Sequence, residues 1–234
     1  MRTVFPLRAP STIPVVGSAL LFPVRRIYCV GQNYESHQKE MGNTTKAPPF
    51  FFMKPSDAVV PPGTVPYPSM TKSFHFEVEL VIAMGCGPSR DMSPADALAA
   101  VFGYAVGIDF TRRDLQAAAK AAGRPWEMGK SFDASAPMSA ITSAASWSVG
   151  TQSIELKVNG VVKQKAVLND MIWDVPHIIA ELSRFVTLEA GDLIMTGTPA
   201  GVGAVVVGDV IDASIEGIEA LKVVVGAPLG SSRL

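Results

Sequence analysis

The chain has 234 residues, is 48% hydrophobic and carries a formal charge of −1. That length supports one sizeable core, and the near-neutral balance, with no lysine or arginine run, excludes the footprint of a nucleic-acid binder. The longest apolar stretch, residues 97–108, falls short of the ~20 residues that a spanning helix needs, so no membrane is expected.

Residues 1–24 contain four prolines and little periodicity, and read as an extended arm or short edge strands. Pro6, Pro10 and Pro14 interrupt the stretch where an export signal would need an unbroken apolar core. Cys29 and Cys86 make no disulfide framework, so a cytoplasmic compartment is expected. Residues 26–30 form a short apolar strand that stops at Gly31, and the polar segment 32–41 is of helical type, ended by Gly42. Seven prolines over 43–72 predict a loop with short strands, such as the one at Phe50, Phe51, Phe52 and Met53.

Residues 74–84 alternate and predict one strand. Ser93-Pro94 predicts a helix start, with serine as cap and proline at the first helical position. Residues 102–108 read as a buried strand and 112–122 as a helix ended by Gly123. Asn159-Gly160 between two strand-like runs is a hairpin signal, residues 174–186 are amphipathic, and 191–225 are short strands cut by glycines. With strands outnumbering helices and no regular βα alternation, the fold class is mixed and mainly β, with peripheral helices.

The chemistry begins at His75-Phe76-Glu77-Val78-Glu79-Leu80. Alternate strand residues share a face, which puts Glu77 and Glu79 side by side. Two ionised carboxylates so placed repel, and a divalent cation removes the conflict; oxygen ligands of this kind suit magnesium or manganese. Taken alone, the hexapeptide reads better as a half-buried strand with a solvated face. Asp109, directly after the apolar strand, adds a third carboxylate at the mouth of the core, although it would also serve as a helix cap.

Six segments in order carry a more specific signal: residues 31–40 (GQNYESHQKE), 76–80 (FEVEL), 107–116 (GIDFTRRDLQ), 129–133 (GKSFD), 158–160 (VNG) and 191–203 (GDLIMTGTPAGVG). In this the chain resembles the fumarylacetoacetate hydrolase family from about residue 26 to about 225. The resemblance implies a rolled β-sheet barrel, a homodimer, and a division into an arm over 1–24 and a catalytic domain over 25–234. It implies that Glu77, Glu79 and Asp109 ligate Mg2+ or Mn2+, that His37 and Glu40 form a catalytic pair with Lys130 beside them, and that Arg113, Gln116 and Thr198 contact substrate. Gln32 stands where many relatives of the family have an arginine.

These residue types suit the cleavage of a carbon–carbon bond in a 2,4-diketo acid. His37 and Glu40, three apart in a helical segment, can face one side, where the carboxylate orients the imidazole. Without the resemblance, His37 reads as an exposed helix histidine, and Glu40 and Lys130 as surface charges. The glycines over 196–203 let backbone approach an anion. Arg113, Gln116 and Lys130 are the candidates to hold a carboxylate at the far end of a substrate such as fumarylpyruvate. His75 and His177 read as ordinary structural residues. A decarboxylase or isomerase acting on a related 2-oxo diacid is the alternative on the same residues, and a non-catalytic binding module is a third reading.

Overall fold

The computed structural model describes residues 3–6, 8–42 and 48–230. A six-stranded sheet runs, edge to edge, through Thr142–Ser143, Val101–Ile108, Val78–Met84, Asp192–Met195, Arg26–Gly31 and Phe50–Lys54. Asp192–Met195 lies parallel to Arg26–Gly31 and antiparallel to Val78–Met84. Every residue of Val78–Met84 and of Asp192–Met195 is buried. Such strands are apolar on both faces because both faces are covered. The two-residue period sorts the side chains: Leu80, Ile82, Tyr28 and Val106 enter one apolar cluster, and Val81, Ala83, Ile27 and Ala105 the opposite one.

A five-stranded sheet, in the order Val161–Val167, Ser153–Val158, Val210–Ile215, Leu221–Gly226 and Gly63–Pro66, covers the first of these faces. Ile154, Leu156, Ile211 and Ala213 from it join Leu80 and Ile82 in that cluster. The other face is covered in part by the paired short strands Thr12–Pro14 and Leu21–Pro23, which contribute Ile13 and Phe22. Cys29 is buried in that layer, and neither it nor Cys86 is bonded to another cysteine.

Five helices lie at the periphery of the described residues: α1 (Glu35–Glu40), α2 (Pro94–Ala99), α3 (Arg113–Ala121), α4 (Glu127–Lys130) and α5 (Val175–Phe185). The expected serine cap is present, since Ser93 Oγ accepts from the Asp96 amide; Asp174 caps α5 in the same way. None of these helices is long and apolar enough to cross a membrane. The hairpin falls at Asn159-Gly160, where φ is 51° and 78°, as a two-residue turn of this kind requires.

Two expectations need correction. The strand over 74–84 is broken at Glu77: Phe74–Phe76 pairs with Thr111–Arg112 and Gly203–Ala204 in a separate sheet, and Val78–Met84 belongs to the central one. The break has a cause, because the Val78 amide donates to Gln164 Oε1 (3.0 Å) instead of to a neighbouring strand. The helical segment over 32–41 shortens to α1, since Gln32 has φ of 57° and Tyr34 is extended. Of the expected loop over 43–72, residues 43–47 lie outside the described set.

Candidate active site

The break in the strand is what brings the acids together. Glu77 sits between the two pieces, Glu79 opens the inner face of Val78–Met84, and Asp109 leaves the end of Val101–Ile108, where its amide donates to the Glu77 carbonyl (2.8 Å). All three side chains are buried, and one oxygen of each lies within 4.8 Å of the others. They floor a cavity of about 520 Å3.

Cations surround two of the three. Lys130, itself buried, donates to Glu77 Oε2 (2.7 Å) and to Asp109 Oδ2 (2.6 Å). Arg113 donates to Glu77 Oε1 and to Gln116 Oε1 (2.5 Å). Lys54 forms an ion pair with Asp109 Oδ1 at 2.8 Å that is not aligned as a hydrogen bond; its ammonium donates to the carbonyls of Phe110 (3.1 Å) and Lys130. Glu79 has no cation among the described residues and accepts only the Gly197 amide (2.8 Å).

The electrostatics follow from these contacts. Burial pushes the Glu77 carboxyl up, but Lys130 and then Arg113 overcome it and hold the group well below the usual carboxylate range. Glu79 moves the other way: burial, then the charges of Asp109 and Glu77, raise it well above that range. Burial alone would lower Lys130, yet Asp109 and Glu77 raise it, so it stays an ammonium. The Cys29 thiol is pushed up by burial and next by Asp109, which makes it inert as a nucleophile.

A hard divalent cation fits this arrangement. The donors are all carboxylate oxygens, the set that magnesium and manganese take, and Glu79 is a buried acid without the counter-charge that would ionise it.

Above the floor, His37 is buried and its Nδ1 lies 2.9 Å from Glu40 Oε2. Glu40 Oε1 accepts the Gly201 amide (3.1 Å), which ties α1 to the glycine loop after Thr198. Thr198 Oγ1 accepts from Gln164 Nε2 (2.7 Å), which leaves the hydroxyl hydrogen to point elsewhere. Gly197, at φ of 93°, packs against Asn33, where a side chain on that glycine would strike the Asn33 Cβ. Asn33 in turn bridges Thr196 and Trp173 through its amide (2.9 Å to each carbonyl).

Eight of the nine residues singled out from sequence line one cavity: His37, Glu77, Glu79, Asp109, Arg113, Gln116, Lys130 and Thr198. The ninth, Glu40, stands behind His37. His37 and Lys130 are buried, so their reading as surface residues is wrong. His75 and His177 lie outside the lining, bonded to Ser73 and Asp174. Sequence reasoning missed Lys54, Gln164 and Lys120. Lys54 carried a signal, a charge closing an aromatic run; Gln164 carried none, in a strand that is polar and mostly exposed.

The fold thus presents an acidic, cation-braced cavity whose three carboxylates could hold a divalent metal ion. The family model for fumarylacetoacetate (FAA) hydrolase C-terminal domains matches residues 26–226, and the chain belongs to that family. A crystal structure of fumarylpyruvate hydrolase from Pseudomonas aeruginosa, in complex with Mn2+ and pyruvate, superimposes with a TM-score of 0.93 at 44% identity, over 97% of this chain and 100% of that one. A fumarylpyruvate hydrolase of a Ralstonia species is 44% identical over 76% of this chain and 92% of its own. A mitochondrial oxaloacetate tautomerase of Bos taurus is 41% identical over 87% of this chain and 93% of its own.

Proposed function

We propose that the protein is a metal-dependent hydrolase that cleaves the carbon–carbon bond of a 2,4-diketo acid, with fumarylpyruvate giving fumarate and pyruvate. The observation that carries this reading is the convergence of Glu77, Glu79 and Asp109 under a cavity that also holds the His37–Glu40 pair. The Mn2+ and pyruvate in the Pseudomonas aeruginosa relative support it.

In this reading Glu77, Glu79 and Asp109 hold Mg2+ or Mn2+, which supplies Lewis-acid polarisation of the keto-acid oxygens when bound. Glu40 holds His37 by Nδ1 and leaves Nε2 to take a proton from water. The hydroxide so formed adds to the C4 carbonyl. The C3–C4 bond then breaks, its electron pair leaving with the pyruvyl fragment, and His37 returns the proton to C3. Lys130 keeps positive charge beside the near carboxylate, and Thr198, held as acceptor by Gln164, donates its hydroxyl to a substrate oxygen. Arg113 and Gln116, tied together, line the near end.

The tautomerase relative, and a Dictyostelium discoideum oxaloacetate decarboxylase 42% identical over 83% of this chain, support a second reading: decarboxylation or isomerisation of a 2-oxo diacid on the same residues. Incubating the magnesium- or manganese-loaded protein with fumarylpyruvate, acetylpyruvate and oxaloacetate, then identifying products, decides between them. Fumarate and pyruvate are the expected result; carbon dioxide or a rearranged acid as the main product would replace the hydrolase reading. The remaining proposals are the division at residue 24, closure of the sheets as a rolled barrel, a homodimer, and a cytoplasmic location. The shared apolar cluster of Ile154, Ile211, Leu80 and Ile82 supports the closure.

A further inference from the structure

Among the cavity's charged groups, the two cations nearest the acids are already engaged. Lys130 binds Glu77 and Asp109, and Arg113 binds Glu77 and Gln116. One more cation lines the cavity: Lys120, whose ammonium has no hydrogen bond or ion pair among the described residues. It is neither part of the acid cluster nor accounted for by packing, since it sits exposed on α3.

Its place on the helix is regular. Arg113, Gln116, Ala117, Lys120 and Ala121 all line the cavity, and these positions (i, i+3, i+4, i+7, i+8) form a single helix face. Arg113 marks the metal end of that face. Lys120 lies seven residues further on, about 10 Å along the axis at 1.5 Å per residue. Between them the face carries the small side chain of Ala117, with Ala121 just beyond Lys120, and Phe52 and Trp126, 5.8 Å apart between ring centroids, also line the cavity. An extended seven-carbon diacid spans about 7–8 Å between its carboxyl carbons, from standard bond lengths. Bound at the acid cluster by one end, it brings the other carboxylate within reach of a lysine at that distance.

We propose that Lys120 reads the far carboxylate of the substrate, and so selects dicarboxylic over monocarboxylic keto acids. The proposal rests on the reading of the cavity as a 2-oxo-acid site. It replaces Arg113, Gln116 and Lys130 as holders of the far end, because their hydrogen bonds fix them at the near end. The alanines and the aromatic wall pass the apolar middle of the substrate without contributing charge, so discrimination among the described residues falls on Lys120.

The test separates binding from turnover. Calorimetric titration of the Mg2+-loaded protein uses 2-oxoheptanedioate and 2-oxoheptanoate, which share the chelating end, lack a 4-keto group and differ only in the far carboxylate. The wild type is expected to prefer the dicarboxylate. Lys120→Met is expected to reduce that preference about two- to fivefold, the range for an exposed ion pair, and Lys120→Arg to retain most of it. An unchanged ratio in Lys120→Met, or equal loss for both ligands, overturns the proposal. Steady-state cleavage of fumarylpyruvate by the wild type is measured alongside: if it fails while the binding ratio still depends on Lys120, the hydrolase reading falls and the specificity role stands.

Discussion

The two large sheets share an apolar layer but use their sequences in opposite ways. The six-stranded sheet is covered on both faces, so the run Val78–Met84 is buried throughout, Glu79 included. The five-stranded sheet has one covered face; Ser153–Val158 alternates part-exposed and buried residues. Its acid, Glu155, sits between Lys157 (2.9 Å) and Lys165 (3.0 Å), and its side-chain bonds to those two lysines lower its pKa. Burial, next the charges of Asp109 and Glu77, raises that of Glu79. The contrast teaches what each carboxylate is for. A surface acid paired with lysines is solvated and dispensable, whereas a buried acid without a cation is costly to fold and is retained for what it binds.

The largest expected effect tests that contrast directly. Glu79→Gln keeps the shape and can still accept the Gly197 amide, but it removes the charge. Affinity for Mn2+ is expected to fall by more than the roughly 10–100-fold that losing an outer partner costs, and turnover to disappear. The same change removes the cost of protonating a buried carboxyl on folding near neutral pH, so in chelator the variant is expected to melt above the wild type, by about 2–4 °C for each kcal/mol removed. Glu155→Gln is expected to alter neither metal affinity nor kcat. A Glu79→Gln protein that binds Mn2+ like the wild type would remove Glu79 from the metal site. A melting point lowered in chelator would show that the carboxylate supports the fold instead.

Much of this was legible in the sequence because it is written in local patterns. Alternation located Glu77 and Glu79, an apolar run ended by a charge located Asp109, and Asn159-Gly160 located a turn that only residues tolerant of positive φ can make. The order of six motifs supplied His37, Glu40, Lys130 and Thr198, none of which local pattern alone distinguishes from surface residues. What was not legible depends on contacts distant in sequence. The break at Glu77 goes with the bond from the Val78 amide to Gln164, eighty-six residues further along the chain. The burial of Lys54 depends on Asp109, Phe110 and Lys130 arriving around it. The open position of Lys120 follows from the way Arg113 and Lys130 are used up by the acids, which no spacing reveals.

Gln164 is where the two sheets cease to be separate, and it gives the intermediate prediction. It is the buried member of an otherwise largely exposed strand, and it makes three bonds: Val78 amide to Oε1 (3.0 Å), and Nε2 to Thr198 Oγ1 (2.7 Å) and to the Pro199 carbonyl (2.8 Å). It thus anchors the residue between Glu77 and Glu79 and orients the Thr198 hydroxyl. Gln164→Leu leaves buried groups unpaired, at about 1–3 kcal/mol each, and is expected to lower thermal stability. A structural role alone would stop there. As a positioning residue it is also expected to raise KM for the keto acid about tenfold, and to do so through Thr198: in a Thr198→Val background, Gln164→Leu should add little further to KM. Additive effects on KM would mean that Gln164 supports the fold without orienting Thr198.

The smallest effect on catalysis belongs to the far end of the same sheet. Asn159 holds φ of 51° in the hairpin; its Nδ2 donates to Asp209 Oδ1 (2.8 Å) and its Oδ1 accepts the Val210 amide (2.9 Å). Alanine removes both bonds and places a side chain that resists left-handed backbone, at roughly 1–2 kcal/mol for the conformation. The conformational part of Asn159→Ala alone is therefore expected to lower Tm by about 2–8 °C, on the scale of 2–4 °C per kcal/mol for a chain of this size, and the two lost bonds lower it further. Asn159→Gly should recover the conformational part of that loss and not the two bonds, so it should melt between alanine and wild type. Because the turn touches neither Gln164 nor the cavity lining, kcat/KM below the melting range is expected to stay within twofold, roughly the scatter for independent sites. If Asn159→Ala instead raised KM as far as Gln164→Leu does, the exposed sheet would be coupled to the site along its whole length. The division between a sheet that folds and a sheet that binds would then have to be redrawn around the hairpin.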